Sequence, residues 1–206
     1  MRIEDVEKIF KNREPGVIGG YRRFSVLVPL VEKDGELNLL FELRSPDLDN
    51  QPGEVCFPGG GIEQGETAEA CALRETTEEL GIDGRHIRMI SQLDSLHTYS
   101  NSSLYSFLAE INYDGHLEAK INTDEVESVF FVPLSWFANS EPLIYEVVIR
   151  PEVGEDFPYQ MVGASNGYNW KKGNYRVPIY RYGDKAIWGL TARIVYNLLE
   201  VILGKD

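Results

Sequence analysis

The stretch PGGGIEQGETAEACALRETTEELGI, residues 58–82, constrains this chain more than any other. Its glycines let backbone pass close to a ligand or to a neighbouring strand. A helical run then extends from about Thr67 to Leu80, and Gly81 supplies the left-handed stop that helices favour. With about 100° between successive residues, Glu75, Glu78 and Glu79 fall on one stripe of this helix. Leu73, Thr77 and Leu80 fall on the opposite one. Carboxylates at such spacing repel by roughly 0.2–0.5 kcal/mol per pair. Two readings follow: a solvated acidic face, or a site at which a cation relieves the repulsion. The glycine-rich approach favours the cation, as does Arg74, which is placed to hold a carboxylate through a bidentate bond. Mg²⁺ takes one or two carboxylates and leaves its other positions to water and phosphate oxygens. Glu75 and Glu79, one turn apart, suit that requirement.

Around this segment the periodicity predicts a mixed β-sheet flanked by helices. Phe24, Val26, Val28 and Leu30 alternate, as do Leu37, Leu39, Phe41 and Leu43, and the intervening Asp34-Gly35 marks a β-hairpin. Further strands are expected at about 87–94, 103–111 and 128–133. Ile187, Leu190, Ile194, Leu198 and Ile202 recur at helical spacing and predict a helix over about 185–203. A short amphipathic helix is expected within residues 2–12, ending before Pro15 and the Gly19-Gly20 pair. Residues 140–182 are rich in Tyr, Pro, Gly and Trp without clear periodicity. With no internal repeat and no low-complexity linker, residues 1–206 read as one domain.

The hydrophobic fraction of 43% and charged fraction of 26% are those of an ordinary globular protein. No run approaches the roughly 18 apolar residues of a membrane helix. The acidic, broken start MRIEDVEKIFKNREP is unlike a signal peptide, so a cytoplasmic protein without membrane contact is expected. The net charge of −13 argues against nucleic-acid binding, which needs clustered Lys and Arg against phosphates. A phosphate-bearing small molecule fits that charge when a bound cation mediates. Cys56 and Cys71 are too few for a disulfide scaffold and lack zinc-site spacing, so both are expected reduced and semi-buried.

Written as Gly60, five residues, Glu66, seven residues, Arg74-Glu75, Thr76, one residue, Glu78-Glu79, one residue and Gly81-Ile82, the segment resembles the Nudix box over residues 60–82. It departs at Thr76, where the pattern has an aliphatic residue, on what reads as a half-buried flank. The resemblance implies an α/β/α sandwich around a mixed sheet. It also implies a hydrolase that cleaves a nucleoside diphosphate linked to another group, using Mg²⁺ or Mn²⁺. By that pattern Glu75 and Glu79 are the principal metal ligands, Glu78 an auxiliary one and the Gly60 carbonyl a further one. Arg74 orients a glutamate and joins Glu78 in the catalytic set. Gly59 and Glu66 border the substrate, Glu66 also supporting the loop. A general base must take the proton of the attacking water. In NTDEVESVFFVPL, Glu125 and Glu127 precede a strand as acids that complete the site in relatives do, and Glu125 is preferred.

QPGEVCFPGG, residues 51–60, and PIYRYGDKAIWGLTARIV near the end resemble the coenzyme A pyrophosphatase branch of that family. This implies hydrolysis of coenzyme A or acyl-coenzyme A to 4′-phosphopantetheine and adenosine 3′,5′-bisphosphate. ADP-ribose or another nucleoside diphosphate derivative is the alternative substrate. A non-catalytic, ligand-binding Nudix domain is disfavoured because every acid of the box is present. Where the branch pattern has an arginine this chain has Asp49, and Arg44 is the replacement candidate for substrate contact. Tyr159, Tyr168, Trp170 and Tyr180 either line a pocket or pack the core and a lid. His97 reads as structural, and Trp188 and Thr191 are expected to pack the last helix on the sheet. A homodimer is compatible with this reading.

Overall fold

The computed structural model describes residues 1–13, 17–19, 21–112 and 121–205. Pro15 and Gly20, at the expected end of the first helix, lie outside the described residues. Helix α1 (Ile3–Phe10) is present and buries none of its side chains. Strands β1 (Arg22–Lys33) and β2 (Glu36–Arg44) form the predicted hairpin. Asp34 and Gly35 both take positive φ, 56° and 76°, giving the two-residue turn whose twist matches its strands.

Strand β3 (Val55–Cys56) pairs with β2, and β4 (Gly59–Gly61) pairs with β1. Helix α2 (Ala68–Leu80) follows. The Thr67 hydroxyl accepts a bond from the Ala70 N–H at 3.1 Å, and Gly81 ends the helix at φ 61°. After β5 (Ile87–Gln92) and β6 (Leu96–His97), β7 (Ser102–Ile111) runs parallel to β1. Strand β8 (Val126–Pro133) returns beside β2 and leads into α3 (Leu134–Ala138). Among the described residues these eight strands make one mixed sheet with the path β3-β2-β1-β7-β5. A second sheet of β9 (Leu143–Ile149), β10 (Gly173–Tyr182) and β11 (Lys185–Trp188) is antiparallel, and α4 (Gly189–Ile202) follows it.

Side chains of successive strand residues leave opposite faces. Leu27, Val31, Leu40 and Ile111 pack with Ala72 and Leu80 of α2. Val28, Leu39 and Phe41 pack with Ala192, Ile194, Val195 and Leu198 of α4. The main sheet is thus covered by one helix on each side, which is the predicted sandwich.

Three expectations are corrected. The helix predicted from 185 starts only at Gly189, because Lys185–Trp188 is β11; Ile187 is buried from a strand and merely coincides with the helical phase. Residues 140–182 hold two paired strands, hidden because β9 has no buried face to impose an alternation: Leu143, Tyr145, Val147 and Val148 are all exposed. Thr76 is fully buried instead of half-buried, and its hydroxyl is satisfied by the Ala72 carbonyl at 2.7 Å. Among the described residues no helix is long and apolar enough to cross a membrane.

Candidate active site

The site begins where β4 meets β1. Gly59, Gly60 and Gly61 lie opposite Val26, Ser25 and Phe24. The buried Ser25 hydroxyl donates to the Ala68 carbonyl at 2.6 Å, fastening the first turn of α2 to the sheet. A Cβ at Gly59 would lie 2.2 Å from the Ser25 carbonyl oxygen, and one at Gly60 would lie 2.3 Å from Glu75 Oε1. Only glycine allows both approaches. The Gly59 N–H also donates to Glu79 Oε2 at 2.8 Å, so strand backbone positions a helix carboxylate.

Arg74 organises the remaining acids of the helix. Its Nε and Nη2 donate to Glu66 Oε1 and Oε2 at 3.0 and 3.2 Å, a fork-to-carboxylate pair. Its Nη1 reaches Glu75 Oε1 at 2.9 Å and Glu78 Oε2 at 3.1 Å. The Glu66 carboxyl is lowered from its ordinary value, first by this Arg74 bond and then by the Glu63 N–H. The guanidinium is correspondingly pushed up. Glu75 is raised instead, because burial outweighs its bond to Arg74.

Deeper in, charge is less balanced. Glu79 is 4% exposed, and burial pushes its carboxyl up to about 8, assisted by the fields of Glu75 and Glu125 and opposed by the Gly59 bond. The loop that carries Glu125 is fixed at both ends: the Asn122 N–H donates to the Glu79 carbonyl and the Ser45 N–H to the Glu125 carbonyl, each at 2.8 Å. The field of Glu125 reaches Glu42, Glu75 and Glu79. Glu127 lies exposed on β8. Glu42, absent from the sequence candidates, is 1% exposed within β2, and burial raises its carboxyl well above the ordinary value. Its signal was a carboxylate inside LNLLFELR, where every residue from Asn38 to Glu42 is buried.

Gly59 and Gly60 line a cavity of about 590 Å³ together with Arg22, Arg44, Gln51, Tyr99, Tyr175 and Trp188. Arg44 therefore borders the cavity, whereas Asp49 is exposed outside it. Tyr99 and Tyr175 meet edge to face at 5.3 Å. Trp188 is 45% exposed and lines this cavity, a correction to its expected packing role; Thr191 does join α4 to the sheet, through the Val55 carbonyl at 3.3 Å. The four aromatics singled out in sequence are elsewhere. Tyr180 is buried against Phe137. Tyr159, Tyr168 and Trp170 gather around one another and Phe157. His97 is occupied by the Ser103 hydroxyl at 2.9 Å. A smaller cavity of about 250 Å³ beside α4 is bordered by Leu93, Arg176 and Arg193 and by none of the box residues.

Among the described residues no three His, Cys, Asp or Glu side chains are already gathered as a chelating group. Arg74 holds Glu75 and Glu78, and the Gly59 N–H holds Glu79. The donor chemistry nevertheless fits a hard divalent cation. The notch at Gly60 admits the Glu75 carboxylate, the available donors are oxygens, and the buried acids exceed the cations that face them.

A family model described as the NUDIX domain matches residues 21–150. The chain is 40% identical over 136 residues to the mouse peroxisomal coenzyme A diphosphatase NUDT7, covering 66% of this chain and 56% of that protein's length. It is 28% identical to the human mitochondrial coenzyme A diphosphatase NUDT8, covering 86% of this chain and 68% of the relative. Against the uncharacterized Nudix hydrolase NudL of Klebsiella pneumoniae the identity is 31%, covering 86% and 81%. Among solved structures, a MutT/nudix family protein from Enterococcus faecalis superposes with a TM-score of 0.50 at 15% identity, covering 98% of this chain and 70% of that one, a likeness of fold. Nudix hydrolases generally need divalent cations. With the box built as a loop, helix and loop on this sheet, and the family matched over most of its length, the chain belongs to the Nudix family.

Proposed function

We propose that this chain is a divalent-cation-dependent hydrolase that cleaves the pyrophosphate bond of coenzyme A or acyl-coenzyme A, releasing 4′-phosphopantetheine and adenosine 3′,5′-bisphosphate. The observation that carries this reading is the single cavity lined by the box glycines Gly59 and Gly60, by Arg22 and Arg44, and by Tyr99, Tyr175 and Trp188. Guanidiniums suit phosphates, and the aromatic side chains suit a purine or an apolar arm. The similarity to two coenzyme A diphosphatases supports the same substrate class. The net charge of −13 supports a small-molecule substrate over nucleic acid.

Glu75 and Glu79 would hold the cation, with Glu78 and the Gly60 carbonyl as further oxygen donors, a set that suits Mg²⁺ or Mn²⁺. When bound, the cation neutralises pyrophosphate charge and acidifies water. The chain's own residues do the rest. Arg74 restrains Glu75 and Glu78, and Gly59 restrains Glu79. Arg44 presents a positive charge to the phosphates from the cavity wall. Glu125 receives the proton of the attacking water, which adds to one phosphorus as the anhydride P–O bond breaks. Its field reaches the box acids, which supports it over Glu127.

The test is incubation of the chain with Mg²⁺ or Mn²⁺ and a panel of coenzyme A, dephospho-coenzyme A, ADP-ribose and other nucleoside diphosphate derivatives, with products read by mass. Coenzyme A is expected to be split efficiently and dephospho-coenzyme A less so. Preference for ADP-ribose overturns the substrate. In ¹⁸O-labelled water, one label is expected in a phosphate product; label in a free carboxylic acid means thioester hydrolysis and overturns the reaction.

A further inference from the structure

The sheet carries a carboxylate that the box does not contain. Glu42 lies within β2, opposite Cys56 of β3 and Val129 of β8. By the two-residue period it shares a sheet face with Leu40, which packs with Ala72 and Leu80 of α2. That helix also bears Glu75, Glu78 and Glu79. Glu42 Oε2 accepts only a long contact from the Cys56 thiol, at 4.0 Å. Its Oε1 is buried and has no hydrogen-bond partner among the described residues. The charged groups whose fields reach it are Glu79, Arg44 and Glu125. Arg44 acts on it through its field, and the Arg44 Nε is likewise buried without a hydrogen-bond partner among the described residues.

A carboxylate left buried and unpaired is costly, whereas an aliphatic side chain at this position of a two-faced strand is not. The oxygen that is free points to a ligand of opposite charge, and the acids of α2 stand on the same side of the sheet. Resting on the reading of the box helix as a cation site, we propose that Glu42 supplies a carboxylate oxygen to a divalent cation that it holds jointly with Glu79. The cation then cross-links β2 to α2, and its ligand set draws on the sheet as well as on the helix.

The experiment is a Mn²⁺ titration of the full chain, free Mn²⁺ being read by electron paramagnetic resonance, for the wild type, Glu42→Gln, Glu42→Leu and Glu79→Gln. Melting temperatures are recorded in EDTA and in saturating Mn²⁺. Both Glu42 variants are expected to bind Mn²⁺ about 10- to 100-fold more weakly, as is usual when a group supporting a metal site is removed. Their Tm in EDTA is expected to equal or exceed that of the wild type, and the rise brought by Mn²⁺ to shrink. Glu42→Leu provides the readout if the amide is poorly accommodated. Wild-type Mn²⁺ affinity in the Glu42 variants alongside a loss in Glu79→Gln overturns the role of Glu42 and leaves the proposed function standing. Wild-type affinity in all variants overturns both.

Discussion

A methyl group on Gly60 would lie 2.3 Å from Oε1 of Glu75, whereas one on Gly59 would lie 2.2 Å from the backbone oxygen of Ser25. The first obstacle is the tip of a flexible side chain and the second is sheet backbone. Gly60→Ala is therefore expected to fold with a modest drop in Tm while displacing Glu75, lowering kcat/KM and Mn²⁺ affinity by about tenfold or more. Gly59→Ala should cost more stability than the roughly 1–3 kcal/mol usual for overpacking, since backbone must move. Calorimetry and steady-state kinetics on the pair check this; equal thermal losses would contradict it.

Glu79→Gln retains the shape and the acceptor for the Gly59 N–H but loses the charge. Turnover is expected to fall by at least about two orders of magnitude with the fold intact by circular dichroism. Glu66→Gln should cost less, since Arg74 retains Glu75 and Glu78. A near-normal rate for Glu79→Gln at saturating Mg²⁺ would remove this helix from the chemistry.

Arg74→Lys tests whether the fork itself matters. Lysine offers a point charge and cannot grip both oxygens of Glu66 while restraining Glu75 and Glu78. The cation concentration needed for half-maximal activity should rise about 10- to 100-fold, with a small fall in Tm. An unchanged cation requirement would reduce Arg74 to a surface charge.

The raised carboxyl of Glu79 makes the cation-free protein sensitive to pH. A carboxyl pushed up to about 8 from an ordinary 4.5 keeps its proton in the folded state after the unfolded chain has released it. Its stabilising contribution is therefore complete below the unfolded value and is lost as pH rises through the folded one. In EDTA, the Tm of the wild type should fall relative to Glu79→Gln between pH 5 and 8.5. With saturating Mn²⁺ the trend should reverse, because cation binding requires the ionised form. Parallel Tm profiles in EDTA would show that Glu79 is not desolvated in solution.

Trp188 lines the same cavity as the box glycines Gly59 and Gly60. Trp188→Ala should raise KM for coenzyme A about tenfold, in line with roughly 1–3 kcal/mol for base stacking, and change kcat little. A loss confined to kcat would place Trp188 in the structure of the site instead of in substrate binding.

The hairpin, α2 and the family were legible in sequence because their signals act over a few residues. Asp34-Gly35 selects its turn locally, Thr67 and Gly81 cap their own helix, and the box places its acids at one-turn intervals. β9 left no signal, since a strand exposed on both faces has no reason to alternate. Lys185–Trp188 misled because one buried residue, Ile187, happened to match the helical phase.

The sequence by itself determined which acids share a helix face, which glycines precede it and where the principal strands lie, because spacing along a regular element dictates direction. Only the tertiary structure decided that Gly60 abuts Glu75, that Arg74 grips acids on both sides of a turn, and that Trp188 faces a cavity while Tyr180 fills the core. It also decided that Glu42 lies on the sheet face that α2 covers, since β2 is set in that sheet by β8, far along the chain, as well as by its near neighbours β1 and β3. Burial and field at a carboxylate depend on everything packed around it, and no local pattern encodes that.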